Sequence, residues 1–144
     1  MMAFIEVENV SKRYEQKNSK IDVLRDVSLF VEKGEFICLL GSSGCGKTTL
    51  LNMIAGFEKE DEGKIFIDGQ LVESPSPKYV TIFQHYGLFP WQTVEKNVMM
   101  GLLAKKIKKW EAKEKSDFYL NLVGLENFKN HKPAQLSGGM KQRV

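Results

Sequence analysis

The most specific motif of the chain is Gly41-Ser42-Ser43-Gly44-Cys45-Gly46-Lys47-Thr48. It matches the pattern G-x-x-x-x-G-K-[ST] at every position. The glycines allow successive backbone N–H groups to turn inward and form a concave nest for an anion. A helix that begins where the loop ends adds unpaired N–H groups and the positive end of its dipole. The pattern therefore predicts a loop that binds the phosphates of a nucleotide.

The side chains of this loop supply the remaining chemistry. Lys47 adds a mobile positive charge for the β- and γ-phosphates, and the Thr48 hydroxyl is placed to ligate Mg²⁺. We therefore expect ATP and Mg²⁺ as ligands. Cys45 is interpreted as a loop residue, because no histidine base neighbours it in sequence. The residues predicted to contact nucleotide in this region are Gly41, Ser42, Ser43, Gly44, Cys45, Gly46, Lys47, Thr48 and Thr49.

The sequence on either side of the loop has the required strand-loop-helix context. Residues 36–40 form a short apolar run, which is typical of a strand buried on both faces in a parallel sheet. Residues 48–55 are predicted to be a helix, with Leu50, Leu51 and Ile54 on one face.

Other patterns predict the rest of the fold. Alternating apolar residues predict strands near residues 4–10 and 27–31, and residues 80–83 predict another. Asp68-Gly69 between two alternating runs is a strong hairpin signal. From about Thr93 the apolar period becomes helical, so a mixed sheet is followed by a helical region.

Composition restricts the classes of protein that remain possible. The chain has 144 residues, 42% of them hydrophobic and 27% charged, as expected for one folded domain. A net charge of +3 is too weak to indicate nucleic-acid binding. No signal peptide and no apolar run near the roughly 18 residues of a membrane span are seen, so a cytosolic or inner-surface location is expected. His85 and His131 have no metal-ligand spacing to other ligands.

A second motif near the end of the chain reads Leu136-Ser137-Gly138-Gly139. With it, the chain resembles the ABC ATPase family, whose signature this sequence is. The resemblance implies an α/β P-loop NTPase fold of the ABC type, with an antiparallel β subdomain, a partial RecA-like parallel core and the start of a helical subdomain. It also implies that residues 1–92 carry the β subdomain and phosphate-loop core and residues 93–144 the helical subdomain, in a domain incomplete at its C-terminus.

The family resemblance also implies roles for individual residues. Two subunits would meet head to tail, so that Ser137, Gly138 and Gly139 of one contact the γ-phosphate held by Lys47 of the other. Tyr14 resembles the aromatic residue that stacks on adenine. Gln84 resembles the glutamine that senses Mg²⁺ and the attacking water. Lys47 and Gln84 are then the catalytic residues, and Thr48 and Gln84 the metal ligands.

Residues 83–94 are similar to importers of the nitrate, sulfonate and taurine group. The implied partners are a second ATP-binding subunit, integral membrane permease subunits and, indirectly, a solute-binding protein, with no nucleic acid. The location implied is peripheral, on the cytoplasmic face of the membrane. Phe89, Pro90 and Trp91 are either core residues or part of the groove that docks the membrane subunit.

The function that this resemblance implies is coupling of MgATP binding and hydrolysis to solute import. The chain stops at Val144, before the family's catalytic Asp-Glu pair, so we expect it to be inactive alone, and unstable or molten. Two alternatives stay open: a non-catalytic nucleotide-binding fragment, and a non-transport ABC protein acting on nucleic acid or ribosomes. A small-molecule kinase is disfavoured, because Leu-Ser-Gly-Gly has no role there.

Overall fold

A computed structural model describes residues 3–16, 19–83 and 85–144. The chain divides into two compact units, residues 1–81 and 82–144. The first unit contains the sheet and the phosphate loop, and the second contains most of the helices.

The first unit is built on a four-stranded antiparallel sheet in the order β2-β1-β3-β4. Its strands are β1 (Ile5–Gln16), β2 (Ser19–Val31), β3 (Glu62–Ile67) and β4 (Gln70–Leu71). Asp68 and Gly69 both have positive φ, 52° and 70°, as a type I′ turn requires. The hairpin predicted from Asp-Gly is therefore confirmed.

The long β1–β2 pair is irregular near its middle. Asn9 and Asp26 both adopt left-handed backbone conformations, with φ of 49° and 48°. The Asn9 side-chain amide donates to the Asp26 carboxylate at 2.8 Å, and the register shifts between Val7 and Val10. Such irregularities increase the twist of a strand pair. They lie just before Lys12 and Tyr14, on the segment of β1 that concerns the candidate site.

Helix α1 (Lys47–Ile54) follows the phosphate loop and packs on the sheet. Leu50 and Met53 are buried in one cluster with Val7 and Ile65. The predicted helix is confirmed, but its predicted buried face is wrong at Leu51, which is 52% exposed. Residues three apart share a helix face, so burial of Leu50 selects Met53 and turns its neighbour outward.

Two predicted strands are not formed among the described residues. Residues 36–40 and 80–83 carry no strand, and Phe36 and Leu40 are 92% and 87% exposed. The physical reason is that a buried parallel strand is held by hydrogen bonds to a neighbour on each side. Every strand pair in the described residues is antiparallel and involves β1 or β3. Several apolar side chains of these segments are therefore exposed: Phe36, Leu40, Val80 and Ile82.

The second unit is helical. Its helices are α2 (Val94–Ala104), α3 (Lys109–Leu122) and α4 (Gly138–Arg143), with 3₁₀ turns at Glu126–Phe128 and Pro133–Gln135. Its buried core consists of Val94, Leu120, Leu125 and Leu136. The helical region predicted beyond Thr93 is confirmed, and the Thr93 hydroxyl caps α2 by accepting from the Lys96 N–H at 3.3 Å.

The lysines between residues 105 and 115 are exposed to solvent. Lys113 pairs with Asp117 at 2.9 Å, and Lys115 pairs with Glu111 at 2.7 Å, each one helical turn apart. Within the described ranges, no helix has the length and apolar character needed to cross a membrane. The same ranges bring no group of histidine, cysteine and carboxylate side chains together that could hold a metal ion.

Candidate nucleotide-binding site

The backbone of the phosphate loop has the curvature that an anion nest needs. Gly44 and Gly46 have φ of 82° and 91°, in the left-handed region that favours glycine. Gly46 is the N-cap of α1, where a Cβ would stand 2.9 Å from the Val23 carbonyl oxygen and 2.7 Å from Leu24 Cδ2. Glycine is therefore required at residue 46 both by the dihedral angle and by the close approach of β2.

The N-terminus of α1 suits a negatively charged ligand. No side chain of the described residues caps it, and no acidic residue lies in its first turn. Helix geometry leaves the N–H groups of Lys47, Thr48 and Thr49 without partners in the helix, at the positive end of the dipole. These observations fit phosphate as the ligand of this loop.

Lys47 is held over the loop. Its ammonium donates to the carbonyl oxygens of Gly41 at 2.9 Å and Ser42 at 2.7 Å, and it lies 3.5 Å from Cys45 Sγ. Thr48 is exposed at the second position of α1. The charge and the hydroxyl predicted for phosphate and Mg²⁺ therefore lie on adjacent residues at the same helix end.

Tyr14 lies near the end of β1, in the same unit as the phosphate loop. Its hydroxyl donates to the Glu58 carboxylate, and the Lys12 ammonium lies 5.7 Å from its ring centroid. Partial burial raises the pKa of the Tyr14 phenol, and the hydrogen bond to Glu58 raises it further. A hydrogen bond with Thr49 and the charge of Lys12 act in the opposite direction. The Tyr14 hydroxyl is thus linked to the segment that carries Glu58.

Lys12 ties this group to the segment before β3. Its ammonium donates to the Lys59 carbonyl at 2.6 Å and to Asp61 at 3.2 Å, and lies 3.7 Å from Glu58. Asp61 also accepts from the Arg13 N–H at 2.7 Å. That backbone bond, followed by the hydrogen bond from Lys12, lowers the pKa of the Asp61 carboxyl.

In the second unit, the predicted signature residues lie at the start of α4. The Ser137 hydroxyl caps this helix by accepting from the Met140 N–H at 3.3 Å. The Tyr86 hydroxyl would stand 3.0 Å from a Cβ at Gly138, and the Lys141 ammonium lies 6.0 Å from the Tyr86 ring centroid. Tyr86 therefore leaves little space for a side chain at residue 138, beside the cap formed by Ser137.

The loop of Phe89, Pro90 and Trp91 has a backbone fixed by hydrogen bonds and aromatic rings exposed to solvent. Asn97 of α2 accepts from the Phe89 N–H at 2.7 Å and donates to the Thr93 carbonyl at 2.9 Å. Phe89 and Trp91 are 39% and 67% exposed, with ring centroids 5.6 Å apart. Of the two interpretations left open by the sequence, core packing is therefore wrong for these rings.

A partly apolar groove of about 450 Å³ begins in the same part of the second unit. It is lined by Gln92, Glu95, Lys96, Met99, Met100, Leu103, Lys109 and Lys113. The methionines and leucine supply adaptable apolar contact area, and the charged residues form its edge.

The structure therefore groups the predicted residues by unit. Tyr14 and the segment from Gly41 to Thr49 lie in the first unit, and the segment from Ser137 to Gly139 lies in the second. Gln84 lies outside the described residues. Sequence reasoning missed Glu58 and Lys12, which both contact Tyr14. Glu58 is far from Tyr14 in the chain, and Lys12 belongs to no recognisable motif. The acidic run around Glu58 was the one available signal for them.

The comparisons with known proteins define the class. A profile described as ABC transporter matches residues 24–144, so the chain belongs to the ABC transporter family, with the P-loop NTPase fold. The bicarbonate transport ATP-binding protein CmpD of Synechocystis is 44% identical over 99% of the chain and 51% of its own length. The nitrate import ATP-binding protein NrtD of Synechocystis is 41% identical over 97% of the chain and 53% of its own length. The chain thus spans about half the length of these curated relatives.

A solved structure is similar as well. The ATP-binding cassette MJ0796, in a dimeric post-hydrolysis state bound to ADP and Pi, superposes with a TM-score of 0.83 at 34% identity. The match covers 96% of this chain and 66% of that protein.

Proposed function

We propose that this chain is part of an ATP-binding subunit that couples MgATP binding and hydrolysis to solute import through a membrane permease. The observation that carries the proposal is the phosphate loop: a left-handed Gly46 opens α1, and the Lys47 ammonium lies over the loop. Membership of the ABC transporter family and the transport and import names of the relatives support the same function.

In this proposal the loop residues bind and orient the nucleotide. The N–H groups at the start of α1 and the Lys47 ammonium stabilise the phosphates, which become more negative as the terminal phosphoryl group leaves. The Thr48 hydroxyl would hold Mg²⁺, which would supply further charge neutralisation when bound. Tyr14 stacks on the base. Ser137, Gly138 and Gly139 serve the nucleotide of a second subunit in a head-to-tail dimer, a state consistent with the dimeric cassette MJ0796.

The proposed docking surface for the permease is the groove beside α2, together with Phe89 and Trp91. Exposed aromatic and methionine side chains of this kind are enriched at protein interfaces. The preformed loop lowers the entropy lost on docking, because Asn97 already fixes its backbone. In this proposal the chain is a peripheral subunit at the cytoplasmic face of the membrane.

The test is nucleotide turnover in the full-length product of the gene, assembled with its permease. Lys47→Ala should lower MgATP affinity and reduce hydrolysis by at least about 100-fold, because a charged phosphate ligand is lost. Lys33→Ala is the matched control, since it removes the same charge from an exposed turn of the same unit. The proposal is refuted if the full-length protein does not hydrolyse ATP or if the two variants behave alike. Nitrate and bicarbonate are the first solutes to assay.

A further inference from the structure

We propose that Glu58 is a positioning residue for Tyr14, which it holds in the orientation that receives the base of the nucleotide. The inference rests on the proposed function, and extends it to a residue that the phosphate loop does not contain. It is carried by the contacts of the Tyr14 hydroxyl and by those of the residues around it.

A stacking side chain must present one face at a fixed angle. Tyr14 is 38% exposed near the end of a strand pair, where packing alone leaves its ring torsions incompletely fixed. The hydroxyl lies on the ring axis, at the end farthest from the backbone. A hydrogen bond there restrains the swing of the whole ring, and the Tyr14 hydroxyl makes such a bond to Glu58.

Glu58 is itself held firmly. Its side chain is 24% exposed, and it lies 3.7 Å from the ammonium of Lys12, whose side chain is 13% exposed. Lys12 is fixed by the Lys59 carbonyl and by Asp61. A carboxylate restrained in this way directs the Tyr14 hydroxyl along one line, which a mobile surface glutamate would not do.

Lys12 also determines which face of the ring is free. It lies two residues before Tyr14 on β1, so both side chains project from the same face of the sheet. Its ammonium, 5.7 Å from the ring centroid, makes a cation–π contact. A base therefore stacks on the side of the ring away from Lys12.

The polar contacts of Glu58 in the described residues are with Tyr14 and Lys12, neither of which belongs to the phosphate loop. Loss of Glu58 should weaken binding of the whole nucleotide and leave the affinity for its phosphate part unchanged.

The experiment compares two ligands in the full-length gene product: MgATP and magnesium tripolyphosphate, which has no base. We expect Glu58→Ala to weaken MgATP binding about three- to tenfold, the effect of one lost hydrogen bond, with tripolyphosphate affinity unchanged. Glu58→Gln keeps an acceptor oxygen and should restore MgATP affinity to within about twofold of wild type. Glu60→Ala, a neighbouring carboxylate that is not the partner of the Tyr14 hydroxyl, is the matched control.

A double-mutant cycle separates positioning from a general structural effect. Tyr14→Phe keeps the ring and removes the hydroxyl, so it should reproduce the loss seen in Glu58→Ala, and the double variant should lose no more than either single one. Additive losses, or equal losses for MgATP and tripolyphosphate, would overturn the role of Glu58. If Glu58→Ala does not fold, Tyr14→Phe and Glu58→Gln with both ligands still decide the question.

The outcomes also separate this inference from the proposed function. If the wild-type protein binds neither ligand, both proposals fall. If Lys47→Ala weakens binding of both ligands while Glu58→Ala and Tyr14→Phe bind MgATP as tightly as the wild type, the proposed nucleotide binding stands and the positioning role is rejected.

Discussion

A methyl group at residue 46 tests the geometry of the phosphate loop directly. Gly46→Ala forces an L side chain into φ of 91°, which costs about 1–2 kcal/mol. The new Cβ also meets the Val23 carbonyl oxygen at 2.9 Å and Leu24 Cδ2 at 2.7 Å. The Leu24 methyl can rotate away, but the carbonyl belongs to β2 and can move only with the strand. Overpacking of this kind adds about 1–3 kcal/mol, so the total loss is about 2–5 kcal/mol.

Gly44→Ala is the matched control, because residue 44 has φ of 82° and nothing within 4 Å of its Cβ position. It should lose only the backbone contribution of about 1–2 kcal/mol. The assay is equilibrium urea unfolding of the full-length gene product. The comparison is valid when the free energy of unfolding has the same dependence on urea concentration in both variants. MgATP binding is titrated in parallel. Gly46→Ala should be the less stable variant by about 1–3 kcal/mol. Equal losses in the two variants would show that contact with β2 does not constrain the loop.

Three further predictions concern other parts of the chain. Asn97→Ala should release the backbone around Phe89 and weaken permease docking with nucleotide affinity unchanged; unchanged docking in a pull-down would contradict the proposed surface. The depressed pKa of Asp61 means that its stabilising contribution is present above the unfolded value of about 3.9 and is lost as pH falls through the folded value. Asp61→Asn should therefore lower the urea midpoint at pH 7, and the difference in midpoint from wild type should shrink at acidic pH. A difference in midpoint that does not change with pH would show that the contacts with Arg13 and Lys12 do not stabilise the charged form of Asp61. The isolated 144-residue chain, with Phe36 at its surface, should bind a hydrophobic dye and melt without a cooperative transition; dispersed NMR signals and a sharp transition would refute this.

Local chemistry made part of this structure predictable from sequence. The helix after the phosphate loop, the Asp68-Gly69 hairpin and the helices beyond Thr93 each depend on residues close together in the chain. Their signals are dihedral preference, helix capping and short-range periodicity, which act before any tertiary contact forms.

The remainder depended on contacts between distant residues. Whether an apolar run such as 36–40 becomes a buried strand depends on neighbours on both sides, which its own sequence does not contain. Leu51 and Met53 were equally eligible for burial until the sheet fixed the rotation of α1. Glu58 is separated from Tyr14 by 44 residues, so no pattern within either segment could pair them.

Helix α1 connects fold and binding in this chain. Its first turn presents N–H groups and Lys47 to the proposed phosphate site, and Leu50 and Met53 fix it in the core. A small rotation of this helix would move both at once. The proposed phosphate site is therefore positioned by the same packing that stabilises the first unit. Because a ligand that binds only the folded form stabilises it, we expect MgATP to raise the free energy of unfolding of the first unit.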